Sequence, residues 1–316
     1  MKPDKLGELY KHRTLYLGED GEGEVVATLV RRVDSPNTGR AALYIHGFSD
    51  YFFHPHVADF FVERGFAFYA LDLRKAGRSI LPHQTPHFIR HIPEYFSELD
   101  VASKILTEEH RHDSIVVYAH STGALTAALW AHRMRKHPWL SGMIFNSPFF
   151  EINIAELVQR LGVAPLDIAG LFAPMRVLPK LGASLNVESL HRDHKGEWDF
   201  DLAWKPLAGT PIRLGWLRAV DRAQRQLRRG LEIKVPVLVA AAADTYREAQ
   251  WSDAVHTSDA VLDADDIVRW APKLGPDVDV VRITGGRHDL ALSREPARSL
   301  FFGELDSWLR SRSLMP

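Results

Sequence analysis

The sequence predicts an α/β architecture: a mostly parallel β-sheet with helices on both faces and a helical cap inserted past its middle. Three observations carry this. Short, uninterrupted apolar runs recur along the chain, as strands buried on both faces require. Segments of helical spacing lie between them, which is the alternation of a parallel sheet. Between about Ser147 and Gly230 the alternation stops, and helical pieces punctuated by Gly162, Pro165, Gly170, Pro174, Pro179 and Gly182 replace it. The chain is thus expected to divide into a first core part (1–147), a cap (148–230) and a second core part (231–316).

The expected strands, in order, are "EVVATLVRRV" from Glu24, "AALYIH" from Ala41, "FAFYALDL" from Phe66 and "SIVVYA" from Ser114. "SGMIFN" from Ser141, "VPVLVAA" from Val235 and "VDVVRIT" from Val278 follow. All are rich in the β-branched and aromatic residues that pack well on a pleated surface. Helical spacing appears near 56–65, 94–109, 122–136, 263–274 and 294–311.

Composition narrows the function classes. Lys plus Arg total 39 against 40 Asp plus Glu, a balance that argues against a nucleic-acid binder. The absence of cysteine rules out a disulfide framework, a zinc-thiolate site and a cysteine nucleophile. The first residues are broken by charges and lack the apolar core of a secretory signal. The longest near-apolar run, "VPVLVAAAA", is far short of the roughly 20 residues a membrane span needs. A soluble, cytoplasmic protein is the expectation.

In open α/β sheets, ligands bind beyond the carboxyl ends of the strands, so chemistry is sought just after each run. "VVYAHSTGALTAALW" drives a buried strand through Ser121 into a helix. Small residues flank the serine at Ala119 and Gly123, as the crowded turn of a nucleophile elbow requires. A plain helix cap is the competing reading. "YIHGFSDYFFHPH" places Gly47 directly after a strand, making the backbone N–H groups of Phe48 and Thr122 the expected oxyanion donors. "ITGGRHDLALS" places His288 after the last strand. An acid should lie between Ser121 and His288 in chain order, and Asp244, Asp253, Asp259 and Asp263 are available. A firmly held loop favours Asp259, with Asp244 nearest the strand end and Asp263 suited to cap the next helix.

Taken together, "HGFSDY", "LDLRKAGRS", "AHSTGA", "SDAVLD" and "GGRHDLALS" resemble the α/β-hydrolases of the serine aminopeptidase, monoacylglycerol lipase and lysophospholipase group. The resemblance covers nearly the whole chain and implies the α/β-hydrolase fold. It implies Ser121 as nucleophile, Asp259 as acid and His288 as base, acting on a small ester or lipid with no cofactor or metal. Two departures stand out: Ala119 replaces the usual elbow glycine, and Lys75-Ala76 occupies a place where such proteins often carry Gly-His. A carboxylesterase acting on lysophospholipid or monoacylglycerol is the leading expectation. The alternatives are an aminopeptidase or amidase, with Glu197, Asp199 and Asp201 as candidates to hold an amine, and a non-catalytic binding protein.

Other features have plainer readings. His54 and His56 form a His-x-His pair, but no further ligands follow at a convincing interval for zinc. His83, His87 and His91 are interrupted by prolines and read as a loop near the site mouth. In the cap, Leu161, Val163, Leu166, Ile168, Leu171, Phe172, Met175 and Leu178 suit packing on the body better than an acyl tunnel. Arg218, Arg222, Arg225 and Arg229 share a helical face opposite Trp216, Val220, Ala223 and Leu227. That basic face suits solvent first and peripheral contact with an anionic membrane second.

Overall fold

The computed structural model describes residues 1–152, 166–178 and 185–316. Among them, nine strands form one open sheet in the order β1-β2-β3-β5-β4-β6-β7-β8-β9. The strands are β1 (Lys2–Asp4), β2 (Gly7–Asp20), β3 (Gly23–Arg32), β4 (Arg40–Ile45) and β5 (Ala67–Asp72). They continue with β6 (Ser114–His120), β7 (Leu140–Asn146), β8 (Val237–Ala242) and β9 (Val278–Ile283). From β5 through β4 and β6 to β9 every pairing is parallel, whereas β1, β2 and β3 add an antiparallel edge that joins β5.

Period-two alternation assigns the core. Along β4, Ala41, Leu43 and Ile45 face one layer, and Ala42 and Tyr44 face the other. Along β6, Ile115, Val117 and Ala119 join the first layer, and Val116 and Tyr118 the second. Helices α1 (Pro55–Glu63) and α8 (Ala297–Ser311) cover the second layer with Val57, Phe61, Phe301 and Leu305. The first is covered by α2 (Phe96–Lys104), α3 (Thr122–Arg133), α6 (Leu214–Arg228) and α7 (Ala264–Trp270). Both faces are therefore buried, which is why these strands read as apolar runs.

Between β7 and β8 the described residues add no strand to the sheet. They contain α4 (Leu166–Phe172), the short α5 (Leu185–Glu188) and α6. The expected partition of α6 is present: Trp216, Val220, Ala223 and Leu227 are buried. Its Arg218, Arg222 and Arg225 converge on Asp167 of α4, so the basic face ties two helices together. The expectation that the apolar residues of this region pack on the body holds for Leu178, which is buried. It fails for Ile168, Leu171, Phe172 and Met175, which are exposed because α4 meets α6 through charged contacts. Leu161 and Val163 lie outside the described residues. No helix among the described residues is long and apolar enough to cross a membrane.

Strands β1 and β2 went unread in the sequence. The outer strand β2 is exposed along most of its length, so its polar residues carry no apolar signature.

Candidate active site

Ser121 stands between β6 and α3 at φ 52°, ψ −119°, a left-handed conformation for a residue with a side chain. Such a backbone costs roughly 1–2 kcal/mol and persists only where its surroundings enforce it. The enforcement is visible. Ser121 N–H donates to Asn146 O at 3.1 Å, and Ser121 O accepts from Ala124, Leu125 and Phe149. The serine occupies the helix N-cap place, yet its hydroxyl makes no capping bond. Instead Oγ lies 3.1 Å from Nε2 of His288.

Two glycines make room for this turn. A Cβ on Gly123 would meet the carbonyl oxygen of His46 at 2.2 Å, so no side chain fits there. A Cβ on Gly47 would come within 3.0 Å of the Ser121 Cβ. Gly47 is thus required by close approach rather than by an unusual φ. Ala119 is wholly buried within β6, where its one carbon is accommodated between Ile45 and Phe145.

His288 follows β9, and its Nδ1 lies 2.9 Å from Oδ2 of Asp259. The carboxylate only accepts, so Nδ1 carries the hydrogen and Nε2 is left to accept from Ser121. Asp259 is fully buried, with Oδ1 accepting from the N–H groups of Val261 and Leu262, each at 2.8 Å. Its backbone is held to the strand end by a hydrogen bond from Asp259 N–H to Asp244 O at 2.8 Å. Asp244 therefore supports this loop through its main chain. Asp263 caps α7, accepting from Asp265 N–H at 3.0 Å, and pairs with Arg247. Neither of these two alternatives reaches His288 by a hydrogen bond.

The N–H groups of Phe48 and Thr122 lie on the two sides of the close approach of Gly47 to Ser121. Neither donates to an acceptor among the described residues. Both are thus available to a bound oxygen.

Around the Ser121–His288–Asp259 chain lies a buried polar layer that motif reading missed. Asp289 accepts from Asn146 Nδ2 at 2.7 Å, His54 Nε2 at 3.1 Å and Ala291 N–H at 3.1 Å. Burial would raise its carboxyl, but His120 and the hydrogen-bonded His54 hold it well below the ordinary carboxylate range. Asn146 also donates to Tyr118 and accepts from Leu290 N–H, so it stitches the His288 loop to β6 and β7. The available signal was a polar residue closing the apolar run "SGMIFN". His120 donates to Asn146 O, and burial pushes its imidazole down to about 4. His56 donates to Ala291 O at 2.9 Å, so this pair of histidines braces the 289–291 turn. No group of three or more metal-ligating side chains is present among the described residues.

Lys75 adopts φ 60°, and its ammonium is buried against Asp20 at 2.6 Å and Glu22 at 2.7 Å. The departure at this position thus anchors the β2–β3 hairpin. Glu197, Asp199 and Asp201 do not form a common acidic pocket; they pair separately with Arg298, Arg192 and Lys5.

Residues 37–292 match the serine aminopeptidase S33 family of hydrolases. The chain belongs to that family. No curated protein gives a sequence match. Among solved structures, this S33 hydrolase is similar to a soluble variant of monoglyceride lipase from Saccharomyces cerevisiae in complex with a substrate analogue. That similarity has a TM-score of 0.66 at 16% identity, covering 98% of this chain and 99% of the other. The monoacylglycerol lipase of Paleococcus ferrophilus gives 0.61 at 17% identity, covering 96% and 99%. Est1E from Butyrivibrio proteoclasticus gives 0.58 at 16% identity, covering 95% and 99%. At these identities the likeness establishes the α/β-hydrolase fold.

Proposed function

We propose that this S33 hydrolase cleaves carboxylic esters through an acyl-enzyme, with Ser121 as nucleophile, His288 as base and Asp259 as the orienting acid. The observation that carries the reading is the continuous chain from Ser121 Oγ through His288 to buried Asp259, next to two unengaged backbone N–H groups. His288 Nε2 takes the serine proton as Oγ attacks the acyl carbonyl. Asp259 holds the tautomer and stabilises the imidazolium. The N–H groups of Phe48 and Thr122 receive the oxyanion, each worth about 3 kcal/mol of transition-state stabilisation. His288 then protonates the leaving alcohol, and a water activated by the same imidazole releases the acid.

The cap over this site is drawn from residues 148–230, of which α6 packs on the sheet, and the substrate is a monoacylglycerol or lysophospholipid. The names of the yeast and Paleococcus structures support that class. The ester reading is preferred to the aminopeptidase suggested by the family name because Glu197, Asp199 and Asp201 are each neutralised at the surface. A fluorophosphonate probe should label the protein and lose its target in Ser121→Ala. p-Nitrophenyl esters of graded chain length should turn over and amino-acid nitroanilides should not. The reverse preference would make it an amidase, and a folded protein that neither labels nor turns over would make it a binding protein.

A further inference from the structure

The loop that carries Phe48 has its upstream end pressed against Ser121 at Gly47, and its downstream end fixed to the sheet where Phe52 N–H donates to Asp72 at 2.9 Å. Between these points, all four side chains reach the segment 201–216 of the cap. The Phe48 ring packs on Trp216 at 4.1 Å between centroids. Ser49, at φ 54°, accepts from Thr210 N–H at 3.0 Å and from its hydroxyl at 2.9 Å. Asp50 accepts from Lys205 Nζ at 2.6 Å. The Tyr51 hydroxyl accepts from Asp201 N–H at 2.7 Å.

The Asp50–Lys205 pair is the most deeply placed of these contacts, with side chains only 1% and 7% exposed. Its ammonium also lies over the rings of Phe53 and Phe200. Burial works to raise the Asp50 carboxyl, yet Lys205 holds it below its ordinary value, with help from His54, His120 and His46. Among the described residues the second carboxylate oxygen of Asp50 has no hydrogen-bond partner, so the bond from Lys205 is the main compensation of this buried charge. A buried ion pair is weak evidence for stability, but removing one partner strands the other as an uncompensated buried charge, so the two segments that carry the pair are held together.

Building on the ester-hydrolase reading, we propose that Lys205 is a positioning residue for the oxyanion hole: through Asp50 it clamps the loop 48–51 to the cap and holds the Phe48 N–H where the oxyanion forms. The cap then has a second task besides covering the substrate. It completes the catalytic geometry, so the transition state gains from Lys205 although the ammonium touches no reacting atom.

The test is kcat and KM for p-nitrophenyl butyrate, together with the rate of fluorophosphonate labelling, in wild type and four variants. Lys205→Met strands Asp50, and Lys205→Met/Asp50→Asn removes both charges at once and is the variant expected to keep its fold. The expected result is a fall in kcat of roughly 30-fold, smaller than the 10²–10³ of deleting a donor outright, with KM within about 3-fold. Labelling should slow in parallel. Ser49→Ala cuts the neighbouring contact of the same loop with Thr210 and should lower kcat about 5-fold. Wild-type kcat and labelling in this variant, where neither charge variant folds, would overturn the clamp. Lys5→Ala breaks the exposed contact of the same segment with Asp201 and should leave both constants unchanged. A folded charge variant with wild-type kcat and labelling, or a loss confined to KM, overturns the proposal. A wild type that neither turns over the ester nor labels would instead overturn the ester-hydrolase reading.

Discussion

At the carboxyl edge of the sheet, polar side chains are buried and nearly all paired; in the segment 166–178, apolar side chains stand in water. Along the edge, Asp289, Asn146, His54, His120, Asp259 and His288 are buried and hydrogen-bonded, while Asp50 and Ser147 each keep an oxygen with no partner among the described residues. In the segment, Ile168, Leu171, Phe172, Met175 and Val177 are exposed. Burying polar groups costs free energy unless every partner is in place, so the edge tolerates little change. The segment is held by Asp167 and the arginines of α6, by main-chain bonds such as Leu178 N–H to Ile212 O, and by buried Leu178, while its five exposed apolar groups face solvent. The difference teaches that residue type alone does not locate constraint: here the polar residues are the fixed ones.

The largest effect should come from the acid at the edge. Asp259→Asn keeps the shape but allows the wrong imidazole tautomer, and kcat on p-nitrophenyl esters should fall about 10⁴-fold. Asp263→Ala should leave kcat within about 3-fold and cost about 1 kcal/mol of stability by removing the α7 cap. The two variants differ by one backbone turn in sequence and by nearly the whole activity in outcome. If Asp263→Ala abolished turnover and Asp259→Asn did not, the acid would have to be reassigned.

What was legible in the sequence follows the same division. The central strands could be read because buried apolar runs are local signals, and Ser121 and His288 stood out as candidates because they follow strand ends. Asp259 is favoured among four aspartates for its loop, and the structure brings it within hydrogen-bond distance of His288. Asn146, Asp289, Asp50 and Lys205 could not be assigned roles, because each has a defining partner between 143 and 235 residues away in the chain. For Asp50 and Lys205 the separation is 155 residues, and no spacing rule spans it. Strand β2 was missed for the opposite reason: a strand exposed along most of its length carries no apolar run. The apolar residues of 166–178 were expected to pack, since periodicity cannot tell an apolar side chain facing the body from one facing solvent.

The edge and the segment should also part on acidification. Burial lowers His87 to about 3 and His56 and His120 to about 4, against about 6.5 in the unfolded chain. Between those values the unfolded state binds more protons, so stability rises with pH. The contribution is fully present above about pH 6.5 and is lost as pH falls toward 4. For His120 alone the loss approaches roughly 3 kcal/mol. The His87 ring makes no hydrogen bond among the described residues and packs on Phe48 and His46, with Asp50 and Lys205 also acting on it. His87→Phe should therefore shrink the drop in Tm between pH 7.5 and pH 5. An unchanged drop would mean that His87 takes up its proton in the native state as readily as in the unfolded chain.

The smallest effect is expected in the segment itself. Phe172 is 81% exposed, and α4 is tied down by the contacts of Asp167 with Arg218 and Arg225. Phe172→Ser removes a ring that shields almost nothing, so the change in stability should stay within about 0.5 kcal/mol. Asp167→Ala is the informative companion. It leaves three guanidiniums on one face of α6 with their shared carboxylate gone, yet the pairs are partly exposed and worth at most about 1 kcal/mol each. Urea midpoints of both variants, measured beside Lys205→Met/Asp50→Asn, set the two regions on one scale. A Phe172→Ser shift well beyond about 0.5 kcal/mol would mean that the ring has a packing partner, and the contrast between edge and segment would collapse.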